Sequence, residues 1–322
     1  MSYTRPWMSF PDQLAQLQAR GMDISNEQAA LSYLERIGYY RLSAYWYPFR
    51  VWKLQQDAAG GSITYMRTDQ FMEGAHFVDA VNLYLFDKRL RLIVLDALER
   101  IEVALRVDIA YLLGERNTFA HLVAGELHPG FAGKPQKDGK TAHQAWCERH
   151  VQLVARSKED FVKHYHSKHG PDLPIWVAIE IWDFGTMSQL FAMMKVQDQQ
   201  RIAAKYGVAD WKVFQSWLRS LSYLRNLVAH HSRVWNRNVV EQPKLPAAGA
   251  IAWCDGFAGK QDLIAKPFLL LAICRHLLLG ICPNTQWHLR LKAHVDAFPA
   301  QQAEKPRSID DMGTPAGWEA WW

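Results

Sequence analysis

The stretch "DAVNLYLFDKRLRLIVLDALERIEVALRVDIAYLL", residues 79–113, decides the fold. Leucine, isoleucine, valine and alanine recur at spacings of three and four for about ten turns, and neither glycine nor proline interrupts them. The apolar positions cover more than one face, so a helix from about Ala75 to Leu113 should lie centrally in a bundle. Asp96, Glu99, Glu102 and Arg106 form a polar stripe along it. Two readings of Glu99, Glu102 and Arg106 stand side by side: ion pairs on the bundle surface, or support behind a functional site on a neighbouring helix.

Outward from this helix the same periodicity continues, and no run of four or more residues alternates cleanly enough to argue for a sheet, so the expected class is all-α. Asp12 to Arg20 and Asn26 to Ile37 read as a helical hairpin with Ser25 as N-cap of its second helix. "QQDAAGGSIT", residues 55–64, reads as a loop, and "HPGFAGKPQKDGKTAH", residues 128–143, as a second, basic one. Further helices are expected from about Gln144 to His166, on either side of a break at Gly185, from Asp210 to His231, from Lys266 to Leu279 and from Gln286 to Ala297. This divides the chain into an N-terminal helical segment (1–66), a helical core (67–300) and a Trp-rich tail (301–322), whose "GWEAWW" ending calls for docking on the body or on a second subunit.

At 322 residues with 49% hydrophobic and 21% charged residues, the chain has the composition of a globular protein. A net charge of +5 and a pI near 8.9 suit a polyanionic partner without demanding one. Cys147, Cys254, Cys274 and Cys282 form no Cys-x-x-Cys pair, which argues against a zinc ribbon or a disulfide framework. His164, His166 and His169 cluster without a carboxylate or thiol at ligand spacing, so neither a metal nor another cofactor is expected. The most apolar run, "FLLLAICRHLLLGIC", is broken by Arg275 and His276, so we expect a cytoplasmic protein without membrane contact. Gly-rich phosphate loops and Ser-His-Asp patterns do not occur, which counts against a nucleotide hydrolase or an acyl-transfer enzyme.

"LRNLVAHHSRVWNR", residues 224–237, raises the functional question. On a helix, Asn226 and His230 are neighbours on one face, and the long side chain of Arg225 bends toward the same place. The bland reading is an Arg225 ion pair and a His230 that closes the helix. The chemical reading is RNA cleavage, with the imidazole moving protons, Asn226 positioning it, and the guanidinium stabilising charge on phosphorus. His231, Arg233 and Arg237 are candidate phosphate contacts, and Tyr39, Tyr40 and Arg41 could stack bases and hold phosphate.

Five blocks in order, "QLAQLQARGMDI", "YLERIGYYRLSAYWYPFR", "YLFDKRLRLIVLDALERIEVALR", "PIWVAIEIWDFGTMSQLF" and "LRNLVAHHSRVWNR", resemble the bacterial abortive-infection Abi-like family over roughly residues 9–290. Arg225, Asn226 and His230 match the motif of ribonucleases of the HEPN superfamily. The resemblance implies a HEPN-like helical bundle with an N-terminal helical extension, acting in phage defence as an RNA-directed toxin. It also implies metal-independent endoribonuclease activity, control by or complex with RNA, and a homodimer that pairs two motifs in one active site. The other reading is a protein that grips a structured noncoding RNA without cutting it, and a third is a protein-interaction or nucleotide-modifying role.

Overall fold

The computed structural model describes residues 6–56 and 63–322. The fold is all-α apart from one antiparallel hairpin. In chain order come α1 (Phe10–Ala19), α2 (Glu27–Ile37), α3 (Tyr39–Trp46), β1 (Arg50–Gln56), β2 (Ile63–Phe71) and the long α4 (Phe77–Arg116). They are followed by α5 (Pro129–Ala132), α6 (Ala142–Arg156), α7 (Asp160–His169), α8 (Ile175–Ala178) and α9 (Phe184–Met193). The last are α10 (Val196–Lys205), α11 (Trp211–Ala229), α12 (Gln261–Ile264), α13 (Pro267–Ile281) and α14 (Trp287–Asp296). Among the described residues, no helix is long and apolar enough to cross a membrane.

The chain forms two compact units, residues 1–91 with 291–311, and residues 92–290 with 312–322. The division falls inside α4, whereas the boundary expected at residue 66 lies within β2. The expected tail is shared: in the first unit the Gln302 N–H donates to Asp79 (3.1 Å), and in the second Trp318 packs edge-on against Phe268. Trp322 is anchored through its Nε1–H to the His288 carbonyl (2.9 Å).

In the first unit, α1 to α3 bury Leu14, Leu17, Leu34, Leu42 and Trp46. Fully buried Asp87 accepts the Tyr45 hydroxyl (2.7 Å) and pairs with Arg91, so the charge sits in a satisfied network. Asn26, not Ser25, caps α2, its side chain accepting the Ala29 N–H (2.9 Å). The hairpin is a second departure from expectation; Trp52 faces Arg67 and Leu54 faces Tyr65 across it. Lys53, Leu54, Tyr65 and Met66 are all exposed. A strand pair with neither face buried carries no alternation of apolar and polar residues for a sequence reading to detect. Of the loop expected over 55–64, residues 57–62 lie outside the described residues.

The second unit is built around α9, α11, α13 and the Leu92–Arg116 part of α4. Helix α13 is buried from Pro267 to Cys274, as its continuous apolar run requires. The helix expected over Gln144 to His166 is two helices, α6 and α7, separated at Ser157–Glu159. Gly185 does not break a helix. The break is at Trp182–Asp183, where Asp183 caps α9 by accepting the Thr186 N–H (2.7 Å), and Gly185 lies inside α9. A Cβ at Gly185 would make an ordinary 3.5 Å contact with the Ser222 hydroxyl of α11.

Candidate functional site

Helix α11 starts at the Asp210 cap and buries Phe214, Trp217, Leu218, Leu221, Leu224 and Val228, an i, i+3, i+4 stripe. That leaves Asn226 and His230 exposed on the opposite side, while Arg225 and Ser222 are half-buried at the edge of the stripe. The helix ends at His230 in a Schellman turn: the His231 N–H donates to Val228 O (3.1 Å) and the Ser232 N–H to Leu227 O (2.9 Å). The turn puts His231 at φ +57°, the one non-glycine residue in the left-handed region among the described residues. Such a residue is uncommon, and asparagine, aspartate and histidine tolerate the position best.

Behind Arg225 lies α4. Glu102, buried, stands 3.9 Å from the Arg225 Nε and accepts from Arg106 (2.7 Å), which also donates to the Trp182 carbonyl (2.9 Å). Arg106 is further 3.5 Å from Glu180. Burial pushes the Glu102 carboxyl up, against the opposing pull of Arg106 and then Arg225. Beside it, burial would also raise Asp183, but the Thr186 N–H, the Arg149 guanidinium and the Thr186 hydroxyl together hold it below the usual carboxylate range. Arg149 reaches Asp183 at 2.7 Å. Asn226 lines one polar concavity of about 470 Å³ with Arg149, Asp183, Thr186 and Gln189.

Under this wall sits a box of aromatic rings. His121, His143 and His150 are buried with Trp146 and Trp182. The Trp182 Nε1–H donates to His150 (3.0 Å), the Trp146 Nε1–H to the Thr186 carbonyl (2.9 Å), and the His143 Nε2–H to the His121 carbonyl (2.8 Å). Burial lowers His121 to about 3 and His150 to about 4, so both rings are neutral at physiological pH. The box fixes residues 182–186, which supply the carbonyl under Arg106 and the partner of Arg149.

Arg225, Asn226, His230, Glu102 and Arg106 therefore lie on α11 and the facing part of α4, in one unit. Glu99 is exposed on that same part of α4. His231 occupies the turn, Arg233 follows it half-buried, and Arg237 lies against the Tyr223 hydroxyl (3.2 Å). Tyr39, Tyr40 and Arg41 belong to the other unit. There the Tyr39 hydroxyl contacts Arg20 and Gln16, each at 3.3 Å, while Tyr40 and Arg41 are exposed. Arg149, Asp183 and Gln189 escaped the sequence reading; only Asp183 left a local trace, an Asp three residues before a Thr at a helix start.

Fold and site together define a helical protein that presents an arginine, an amide and an imidazole at the exposed end of one helix, backed by a buried carboxylate. The chain belongs to the Abi-like protein family, whose model matches residues 32–236. The match begins within α2 and ends just past the Schellman turn, so it holds Tyr39 to Arg41, the α4 stripe and Arg225 to Arg233, while Arg237 lies one residue beyond. Comparison with curated proteins and with solved structures gave no match.

Proposed function

We propose that this protein acts in abortive infection, a defence against phage, as a HEPN-type endoribonuclease that cleaves RNA without a divalent metal. The observation that carries the reading is the pairing, on one helix end, of an exposed His230 with an Arg225 held from behind by Glu102. Among the described residues, the side chains of Asn226 and His230 make no hydrogen bond within the chain, so both are available to a ligand. In the reaction a base takes the proton of a ribose 2'-hydroxyl, whose oxygen bonds to phosphorus. The P–O5' bond then breaks, and an acid returns a proton to the leaving oxygen. The products are a 2',3'-cyclic phosphate and a 5'-hydroxyl. His230 is the proton carrier, Asn226 positions it, and Arg225 stabilises the charge on the five-coordinate phosphorus. The carboxylates nearest these residues, Glu102 and Asp183, are engaged by Arg106, Arg225 and Arg149.

One motif supplies one imidazole, whereas in-line displacement uses an acid and a base on opposite sides of phosphorus, so the active form is a homodimer. An apolar groove of about 550 Å³ lined by Val107, Tyr111 and Trp176 begins at Arg106 and Glu180 and supports self-association beside the site. The test is cleavage of labelled RNA in EDTA, with a 2'-deoxy substitution at the cut as the partner substrate. Cutting that survives EDTA, stops at the deoxy position and leaves a cyclic phosphate is the expected result. RNA that is bound and left intact would assign the protein to RNA binding without cleavage.

A further inference from the structure

Two concavities, one mostly polar and one of mixed lining, meet along the seam between α9 and α11. One, of about 470 Å³, holds Asn226 and Arg149; the other, of about 490 Å³, holds Lys212, Gln215, Arg219 and Lys244. Gly185 and Gln189 line both. Gly185 lies at their junction, where a Cβ would come 3.3 Å from the Asp183 carboxylate and 3.5 Å from the Ser222 hydroxyl. The result is one groove that starts beside the arginine and histidine of α11 and follows that helix back to its first turn. At about 1.5 Å per residue, Lys212 and Asn226 are about 21 Å apart along the axis, the length of about six stacked nucleotides.

The lining of the groove fits one kind of ligand. In the second concavity Ala192 is the only apolar side chain. Arg149 and Arg219 are paired with Asp183 and Glu241, but the ammonium groups of Lys212 and Lys244 face no carboxylate among the described residues, that of Lys212 lying over the Trp211 ring at 5.6 Å. Between these cations, the amides of Gln189 and Gln215 and the hydroxyl of Ser222 make no hydrogen bond within the chain, among the described residues. Cations without a carboxylate partner along the walls call for phosphates, and amides left to solvent beside them call for base or ribose edges, which only an unpaired strand brings within reach. A duplex does not enter a concavity of this size, and its deep major groove keeps base edges from side chains.

We propose that the α9–α11 groove is the track on which single-stranded RNA reaches Arg225 and His230, with Lys212 and Lys244 on its phosphates and Gln189 and Gln215 on its base or ribose edges. This rests on the ribonuclease reading and adds where the substrate lies. The test measures fluorescence anisotropy of a fluorescein-labelled single-stranded RNA pool of random sequence over a salt series. The proteins compared are His230→Ala alone and His230→Ala combined with Lys212→Gln/Lys244→Gln or with Lys134→Gln/Lys137→Gln. Two lost phosphate contacts should lower the slope of log affinity against log salt by about 1.4, at about 0.7 per contact on a single strand. The change at Lys134 and Lys137, in the basic loop after α5, should leave the slope in place. In the cleaving protein, Lys212→Gln/Lys244→Gln should raise KM and spare kcat at saturation. An unchanged slope in the groove variant, a slope lost in the loop variant, or equal binding of a duplex pool overturns the track while the ribonuclease reading stands. Neither binding nor cleavage of RNA by the unsubstituted protein overturns both.

Discussion

His121, His143 and His150 lie buried among Trp146 and Trp182, whereas His230 and His231 stand exposed at the end of α11, in the same compact unit. In the first group desolvation keeps His121 and His150 neutral, and His143 and His150 each spend a ring nitrogen on an internal hydrogen bond. In the second the backbone is tied into a Schellman turn, while the His230 ring is left to the solvent. The same residue type thus serves as filler where water is excluded and stands open to a ligand where a helix ends. Burial and the element that presents the ring distinguish the two, and clustering of histidines in the sequence does not.

The sharpest way to break this contrast is His230→Ala. We expect RNA cleavage to fall about 100- to 10,000-fold, the usual worth of general acid–base catalysis, with stability changed by less than about 0.5 kcal/mol. Single-turnover cleavage assays and urea unfolding on the same preparation check both halves, and a variant that cuts normally removes His230 from the chemistry. Trp146→Ala reverses the pattern. It empties the box and strands the Thr186 carbonyl, so unfolding free energy should drop by about 3–5 kcal/mol. A fall under about 1 kcal/mol would show that the box is not a packed core.

Acid provides the next test. The folded His121 and His150 bind protons less readily than the unfolded chain does. Their contribution is therefore fully present above about pH 6.5 and is lost as pH falls toward about 4 for His150 and about 3 for His121. Each ring steepens the loss by about 1.4 kcal/mol per pH unit in its window, readable as urea midpoints from pH 7 downward. His150→Phe should flatten the profile, and an unaltered slope would take His150 out of the account. The smallest effect is expected from Glu102→Gln. Burial already disfavours the carboxylate, so stability should move by about 1 kcal/mol or less, while kcat falls about tenfold because Arg225 loses its charged support. An unchanged kcat would make Glu102 a packing residue.

The sequence made the longest helices legible through their buried faces, whereas α3 and α10, only about two to three turns long, escaped it. The stripe of α11 and the long apolar pattern of α4 are periodic because each packs against neighbours, and the all-α class follows from them. The β1–β2 hairpin was invisible because neither of its faces is covered. Gly185 misled because glycine is common in turns, whereas the start of α9 is set by the Asp183 cap two residues earlier. At the site, Arg225, Asn226 and His230 are local in sequence and could be read there. Arg149 and Asp183 are brought to Asn226 by packing alone, and no spacing announces that. The tail was half legible: its tryptophans needed cover, but the docking of its earlier part on the first unit, through Asp79, depends on a backbone hydrogen bond without a sequence signal.

The turn after α11 makes two adjacent codons answer to different filters. At 231 the left-handed backbone costs a branched side chain about 1–2 kcal/mol, and glycine, asparagine or aspartate fit at less expense. At 230, with φ −91° and ψ 14°, the chain accepts nearly any residue. In a saturation library, abundance would thus prune position 231 by backbone shape, and activity would prune position 230 by proton chemistry. Neighbours that look alike as a His-His pair are in this sense independent sites, each able to vary under the constraint that holds the other fixed.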